Sequence, residues 1–294
     1  MGIGGDVTHL AAVRGDLRRR TGETVMSGFS PEWLALRESH DLRARNPVVL
    51  GAVADRFRSR DSLNVVDLAC GAGSTVRAIG PHLQARQHWD LVDNDPHLLA
   101  LACGGNDDSD VRLNAVSLDL GGNFEAVLDS TKHLVTTSAL LDLVSETWLD
   151  RLVRHIASRA LPFYAALTYD GRTDFFPSDP LDEIIISAVN AHQRTDKGFG
   201  PALGPSAAAA AISRFEAAGY SVIQGRSDWQ IGTADHEMQR ALLSGWAQAA
   251  REIEALPHRD IDDWLARRNE NVDLSASTMR VGHVDFFAVP MTIR

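Results

Sequence analysis

The residues with the most chemical potential for their spacing are three acids, Asp67, Asp93 and Asp119, and a turn of small residues, Ala69-Cys70-Gly71-Ala72-Gly73. Gly71 and Gly73 allow a backbone to approach a ligand more closely than a side chain permits. The helical-looking stretch Thr75 to Ile79 then points N–H groups and a partial positive charge into the same crevice. An acid about twenty residues past such glycines is where the hydroxyls of a ribose need an acceptor, and Asp93 stands there with Asn94 beside it. The chemistry indicated is capture of a nucleotide-like ligand by backbone and carboxylate. A second polar group, Tyr169, Asp170 and Arg172, and the donor-rich stretch Asn190 to Pro201 with His192, Arg194 and Lys197, are candidates to meet a reacting partner.

Positioning these groups requires strands that end together. Leu63 to Leu68 is an apolar, β-branched run that stops at the glycine turn, so it predicts a buried strand. Further strands are predicted at Trp89 to Asp93, Val111 to Leu120, His133 to Ser138, Phe163 to Asp170, Tyr220 to Ile223 and His283 to Val289. Ser30-Pro31-Glu32 and Asn46-Pro47 predict two helix starts, and Asp95-Pro96 a third. Met238, Leu242, Leu243, Trp246, Ala249 and Ile253 recur at helical spacing and form a core or interface face. In open α/β sheets ligands bind outside the carboxyl ends of the strands, which is where Tyr169 and Asp170 fall.

Two cofactors compete for the glycine turn. A dinucleotide fingerprint needs a third glycine three residues after the second, and Val76 occupies that position. Asp67-Leu68-Ala69-Cys70-Gly71-Ala72-Gly73 instead resembles motif I of the class I S-adenosylmethionine-dependent methyltransferases, with Ala69 in place of the first glycine. The resemblance implies an α/β, Rossmann-like, doubly wound sheet of order 3-2-1-4-5-7-6 whose last strand is antiparallel. It implies S-adenosyl-L-methionine as cofactor, with Asp93 on the ribose hydroxyls, Asp119 on the adenine amino group, Leu120 beside the ring and Ser138 as a wall. Arg37, Arg43 and Arg45 are candidates for the methionine carboxylate, Arg45 being preferred. Asp142 either reaches this pocket or caps the next helix. The implied reaction is in-line methyl transfer to a small-molecule acceptor, with His192, Tyr169 and Asp170 as candidate catalytic residues. The alternatives are an NAD(P)-dependent oxidoreductase and a non-catalytic S-adenosylmethionine-binding protein.

The chain has 294 residues, 44% hydrophobic and 23% charged, which fits one large α/β domain. Its formal charge of −10 argues against a general affinity for nucleic acid. Two cysteines, Cys70 and Cys103, supply no four-thiolate metal site and point to a reducing, cytoplasmic setting. No run of about eighteen apolar residues is present to span a bilayer, and no secretory h-region opens the chain. Residues 1–29 are expected to be loosely ordered, with Met26 an alternative start, and 30–294 to form the methyltransferase domain. Within it, 30–46 is expected to be a lid helix and 173–205 an irregular substrate-lid insertion hinged at Gly198 and Gly200. Nothing in the composition specifies an oligomeric state.

Overall fold

The strands pair in the order that the resemblance implies, with one addition. In a computed structural model, which describes residues 29–104 and 109–291, β1 (Ser62–Leu68) pairs in parallel with β2 (Arg86–Asp93) and β4 (Leu134–Ser138). β3 (Val111–Ser117) adds to β2 and β5 (Phe163–Phe176) to β4, also in parallel. The last strand, β8 (Thr278–Pro290), runs antiparallel between β5 and β6 (Tyr220–Arg226), so the order is 3-2-1-4-5-8-6. This is the expected order with one renumbering. A three-residue strand, β7 (Trp229–Ile231), also pairs with β8. Three residues are too few for a period to register, so the sequence shows no sign of β7. The expectation of loose order for residues 1–29 lies, apart from Phe29, outside the described residues.

The predicted caps form. Ser30 Oγ accepts from Trp33 N at 3.2 Å to start α1 (Pro31–Ala44), and Asn46 Oδ1 accepts from Val48 N and Val49 N to start α2 (Pro47–Phe57). Helix α3 (Ser74–Ile79) follows the glycine turn, and Asp95 caps α4 (Pro96–Cys103). Helices α2, α3 and α4 cover one face of the sheet around Trp89 and Leu91. The other face packs on α5 (Glu146–Ser158) and α7 (Ala207–Ala217), where Phe163 stacks on Phe215 with centroids 5.0 Å apart. Small Ala207, Ala208 and Ala211 let α7 lie close to that face.

A third core corrects the view of 173–205 as an irregular insertion. β5 runs on past Asp170 to Phe176, paired with β8 from Thr173↔Val281 to Phe176↔Thr278. Helix α6 (Asp182–His192) then packs Ile185 and Val189 against α8 (His236–Glu252) and α9 (His258–Asp273). The apolar face of Met238, Leu242 and Leu243 is the surface it meets. Two segments far apart in sequence thus complete one core, which neither segment's own pattern could announce. Asp182 is the polar anchor of that core. It accepts from Trp264 Nε1 at 2.9 Å and from Asp179 N at 2.7 Å, and pairs with the buried Arg268 guanidinium.

Candidate functional site

The end of β1 turns through left-handed backbone at Ala69 (φ 55°), Gly71 (φ 52°) and Gly73 (φ 85°). Ala69 therefore adopts the conformation that a glycine would favour, despite its methyl group. A Cβ at Gly73 would lie 3.1 Å from Ala102 Cβ, so this glycine lets the turn pack on α4; it is not itself among the residues lining a cavity. At Gly71 a Cβ would meet Leu34 Cδ1 at 3.4 Å, because α1 lies directly over the turn.

Asp93 closes the turn from the end of β2. Its Oδ2 accepts from Gly71 N at 2.9 Å and its Oδ1 from Asp95 N at 3.0 Å. Burial raises its pKa, and these backbone donors oppose the shift. Both carboxylate oxygens retain further lone pairs, and the side chain borders a cavity of about 420 Å³. Ala69, Cys70, Gly71, Asn94, Asp119, Leu120 and Ser138 border the same space. Asp119 also accepts from Gly121 N at 2.8 Å, so it both starts a turn and faces the cavity. Burial pushes the Cys70 thiol up, leaving it an uncharged wall. Among the described residues no group of three or more His, Cys, Asp or Glu is arranged to hold a metal ion.

Asp67 supports the turn from beneath. It is fully buried and Oδ1 accepts from Thr136 Oγ1 at 2.8 Å, but it does not border the cavity. Burial pushes its carboxyl up to about 6, against the pull of the Thr136 hydroxyl and then the Arg45 guanidinium. The folded protein therefore holds this proton more tightly than the unfolded chain, and ionising Asp67 costs stability as pH rises from the unfolded value of 3.8 through 6. Asp67→Asn removes that cost. Relative to the unmodified protein, the variant is expected to gain about 1–2 kcal/mol between about pH 5 and pH 8, measured by urea denaturation at both pH values. A stability difference independent of pH would refute it.

Several of the expected site residues sit elsewhere. Arg45 is buried behind Ser138, donating to its Oγ at 3.2 Å, and it does not border the large cavity. Arg37 does, because α1 turns its polar side inward and buries Arg37, His40 and Asp41. Asp41 accepts from Arg37 Nε at 2.9 Å and from Trp229 Nε1 at 2.9 Å, tying α1 to β7. Asp170 is likewise redirected. Its carboxylate takes Arg172 Nε at 2.7 Å, and Arg172 reaches on to Asp228, so Asp170 braces the strand pair away from either cavity.

A second cavity, of about 140 Å³, adjoins the first, and the two share Phe29, Arg37, Ala139, Leu143 and Lys197 on their walls. Trp33, Tyr169, Trp229, Trp246 and His283 border only this one. His192 is here too, but both ring nitrogens have partners: Nε2 lies 2.8 Å from Glu252 Oε2 and Nδ1 3.4 Å from Lys197 Nζ. Burial and the Lys197 charge lower its pKa. The Tyr169 hydroxyl donates to Asn190 Oδ1 at 2.7 Å, and burial pushes its pKa up to about 12. Lys197, a candidate to meet a reacting partner, borders both cavities, and Phe199 borders that of the glycine turn; Leu203 N donates to Val144 O at 2.8 Å where the loop folds back. His283 and the tryptophans escaped sequence reasoning. Their aromatic character was visible, but their convergence was not.

Parallel order 3-2-1-4-5 with an antiparallel strand entering between the fifth and the outermost, and a cavity at the glycine turn, leaves one architecture. The fold is the Rossmann-like methyltransferase fold. No protein-family model and no curated protein sequence matches the chain. Similar solved structures include a cyclopropane-fatty-acyl-phospholipid synthase-like protein from Lactobacillus casei (10% identity, 86% of this chain and 90% of that one, TM-score 0.49). Also similar are the YcgJ protein from Bacillus subtilis (14% identity, 84% and 100%, TM-score 0.46) and the cyclopropane synthase MmaA2 from Mycobacterium tuberculosis (9% identity, 82% and 82%, TM-score 0.43). Among the described residues no helix is long and apolar enough to cross a membrane.

Proposed function

We propose that this protein binds S-adenosyl-L-methionine in the larger cavity and transfers its methyl group to a small molecule held in the adjoining one. The observation that carries the reading is the Asp93 carboxylate, fixed by Gly71 N and Asp95 N at the edge of a cavity that shares five wall residues with a second. The residues present fit the cofactor. Asp93 is an acceptor for paired ribose hydroxyls, Asp119 and the apolar Leu120 suit an adenine, and the Arg37 guanidinium, although its Nε and Nη2 are held by Asp41, borders the cavity as the cation nearest in kind to what a methionine carboxylate needs. When bound, the cofactor supplies a methyl already activated on sulfonium, so the chain's task is alignment and exclusion of water. Arg37, Leu143 and Lys197, common to both cavities, border the passage between donor and acceptor, and α1 closes over it. The acceptor must present a lone pair at that passage.

The missing third glycine at Val76 weighs against a dinucleotide. S-adenosylhomocysteine is expected to raise the melting temperature, as any ligand of the native state does, while NAD and NADP leave it unchanged. With labelled S-adenosylmethionine and a metabolite extract, label should appear in a small molecule. Stabilisation by NAD alone would hand the site to oxidoreduction. Cofactor binding with no labelled product from any extract would favour a non-catalytic binding protein.

A further inference from the structure

Within the second cavity, the polar side chains with identified partners are mostly committed: Arg37 to Asp41, Tyr169 to Asn190, His192 to Glu252. His283 differs. The residue is 5% exposed and borders the cavity, and its ring centroid stands 4.7 Å from that of Trp229 and 6.1 Å from that of Tyr169. Its Nδ1 lies 3.1 Å from the Val281 carbonyl oxygen. A carbonyl only accepts, so Nδ1 carries the hydrogen, and in the neutral ring Nε2 is then a lone pair. Burial, with the Arg37 charge next, holds the His283 pKa at about 3, so this tautomer persists across the physiological range. Among the described residues, no donor is bonded to Nε2. The backbone behind the ring is fixed as well, since His283 N donates to Asp228 Oδ1 at 3.2 Å and Ser227 N donates to His283 O at 3.0 Å.

We infer that the second cavity takes a planar, largely apolar ring compound bearing one O–H or N–H donor, and that His283 Nε2 accepts from that donor and sets the orientation of the ring. This rests on the methyltransferase reading for the cavity's use as an acceptor site, but the binding chemistry stands independently of it. Trp33, Trp229 and Trp246 supply aromatic, largely apolar walls against which a ring can pack. A buried acceptor left without its hydrogen bond costs free energy, so His283 discriminates against rings that lack the donor. His283 is thus a positioning residue that acts by orienting the acceptor.

Paired probes of nearly equal size test this: phenol, which donates, and toluene, which does not. Affinities are measured by nuclear magnetic resonance titration of the full chain saturated with S-adenosylhomocysteine, using protein labelled with ¹⁵N at histidine. Phenol, and not toluene, should move the His283 Nε2 resonance in the direction of hydrogen bonding. The ratio of phenol to toluene affinity should fall roughly three- to tenfold in His283→Asn, whose amide can still donate to Val281 O but cannot reach the position of Nε2. His283→Gln, whose longer side chain can place an acceptor near that position, should recover most of the ratio. An unchanged Nε2 resonance in the unmodified protein overturns the inference even if the variants fail to fold. So does an affinity ratio that is the same in His283→Asn. Failure of both rings to bind, with S-adenosylhomocysteine still bound, sinks the inference and spares the methyltransferase reading. Phenol binding as described without any binding of S-adenosylhomocysteine does the reverse.

Discussion

Replacing Asp182 by alanine is expected to cost the folded state about 3–5 kcal/mol, the range for breaking a buried ion pair by removing one partner. Arg268 is 1% exposed along its side chain and sits over the Phe175 ring at 4.3 Å, so its charge has no route to water. Without Asp182 that charge keeps the Pro177 carbonyl as a partner, but the Trp264 and Asp179 donors lose theirs. Native domains hold roughly 5–15 kcal/mol in total, so this one change removes a large share. The double variant Asp182→Leu with Arg268→Met should regain much of the loss, because matched apolar groups avoid the desolvation of both ions. Urea denaturation of the single and double variants decides it. A loss below about 1 kcal/mol in Asp182→Ala would mean that α6 and α9 are not held together through this pair.

The second large effect is on cofactor affinity. Asp93→Ala removes the proposed ribose acceptor and frees Gly71 N and Asp95 N, so the glycine turn loses its latch together with its ligand contact. Charge-assisted hydrogen bonds of this kind contribute about 1.5–3 kcal/mol, which is roughly a ten- to 150-fold weakening for S-adenosylhomocysteine in calorimetry. Asp93→Asn is expected to fall between the two. Its oxygen can accept, but its NH₂ opposes one of the two backbone donors. An Asp93→Ala protein that is folded and binds with undiminished affinity would remove Asp93 from the cofactor site.

Asp93 was readable because it ends a strand, and a parallel sheet brings the carboxyl ends of its strands to one edge; a position within a strand therefore fixes a position in space. Asp119 and Ser138 were named only through the family resemblance; Asp119 lies two residues past β3, Ser138 ends β4, and both border the large cavity. Asp182 follows a short polar stretch with nothing local to mark it, and its partners Trp264 and Arg268 lie more than eighty residues away, at separations of 82 and 86.

By itself, then, the sequence determined most of the strands and their flanking helices, but neither β7 nor α6, together with the glycine turn and Asp93 at the end of β2, since each of these depends on a period or spacing within a few residues. It also determined the helix starts at Ser30, Asn46 and Asp95, which need only a side-chain oxygen and the N–H groups of the next turn. Tertiary structure decided which charges face the site: Arg37 rather than Arg45 borders the large cavity, because α1 packs its polar side against the sheet edge and Arg45 falls behind Ser138. It decided that Asp170 serves Arg172 and that His192 meets Glu252, sixty residues on. It alone assembled the second cavity, whose walls come from α1, β5, α6, β7, α8 and β8. Each of those residues obeys its own element's period, and the point at which they converge is set by how the elements cross, which no local pattern encodes.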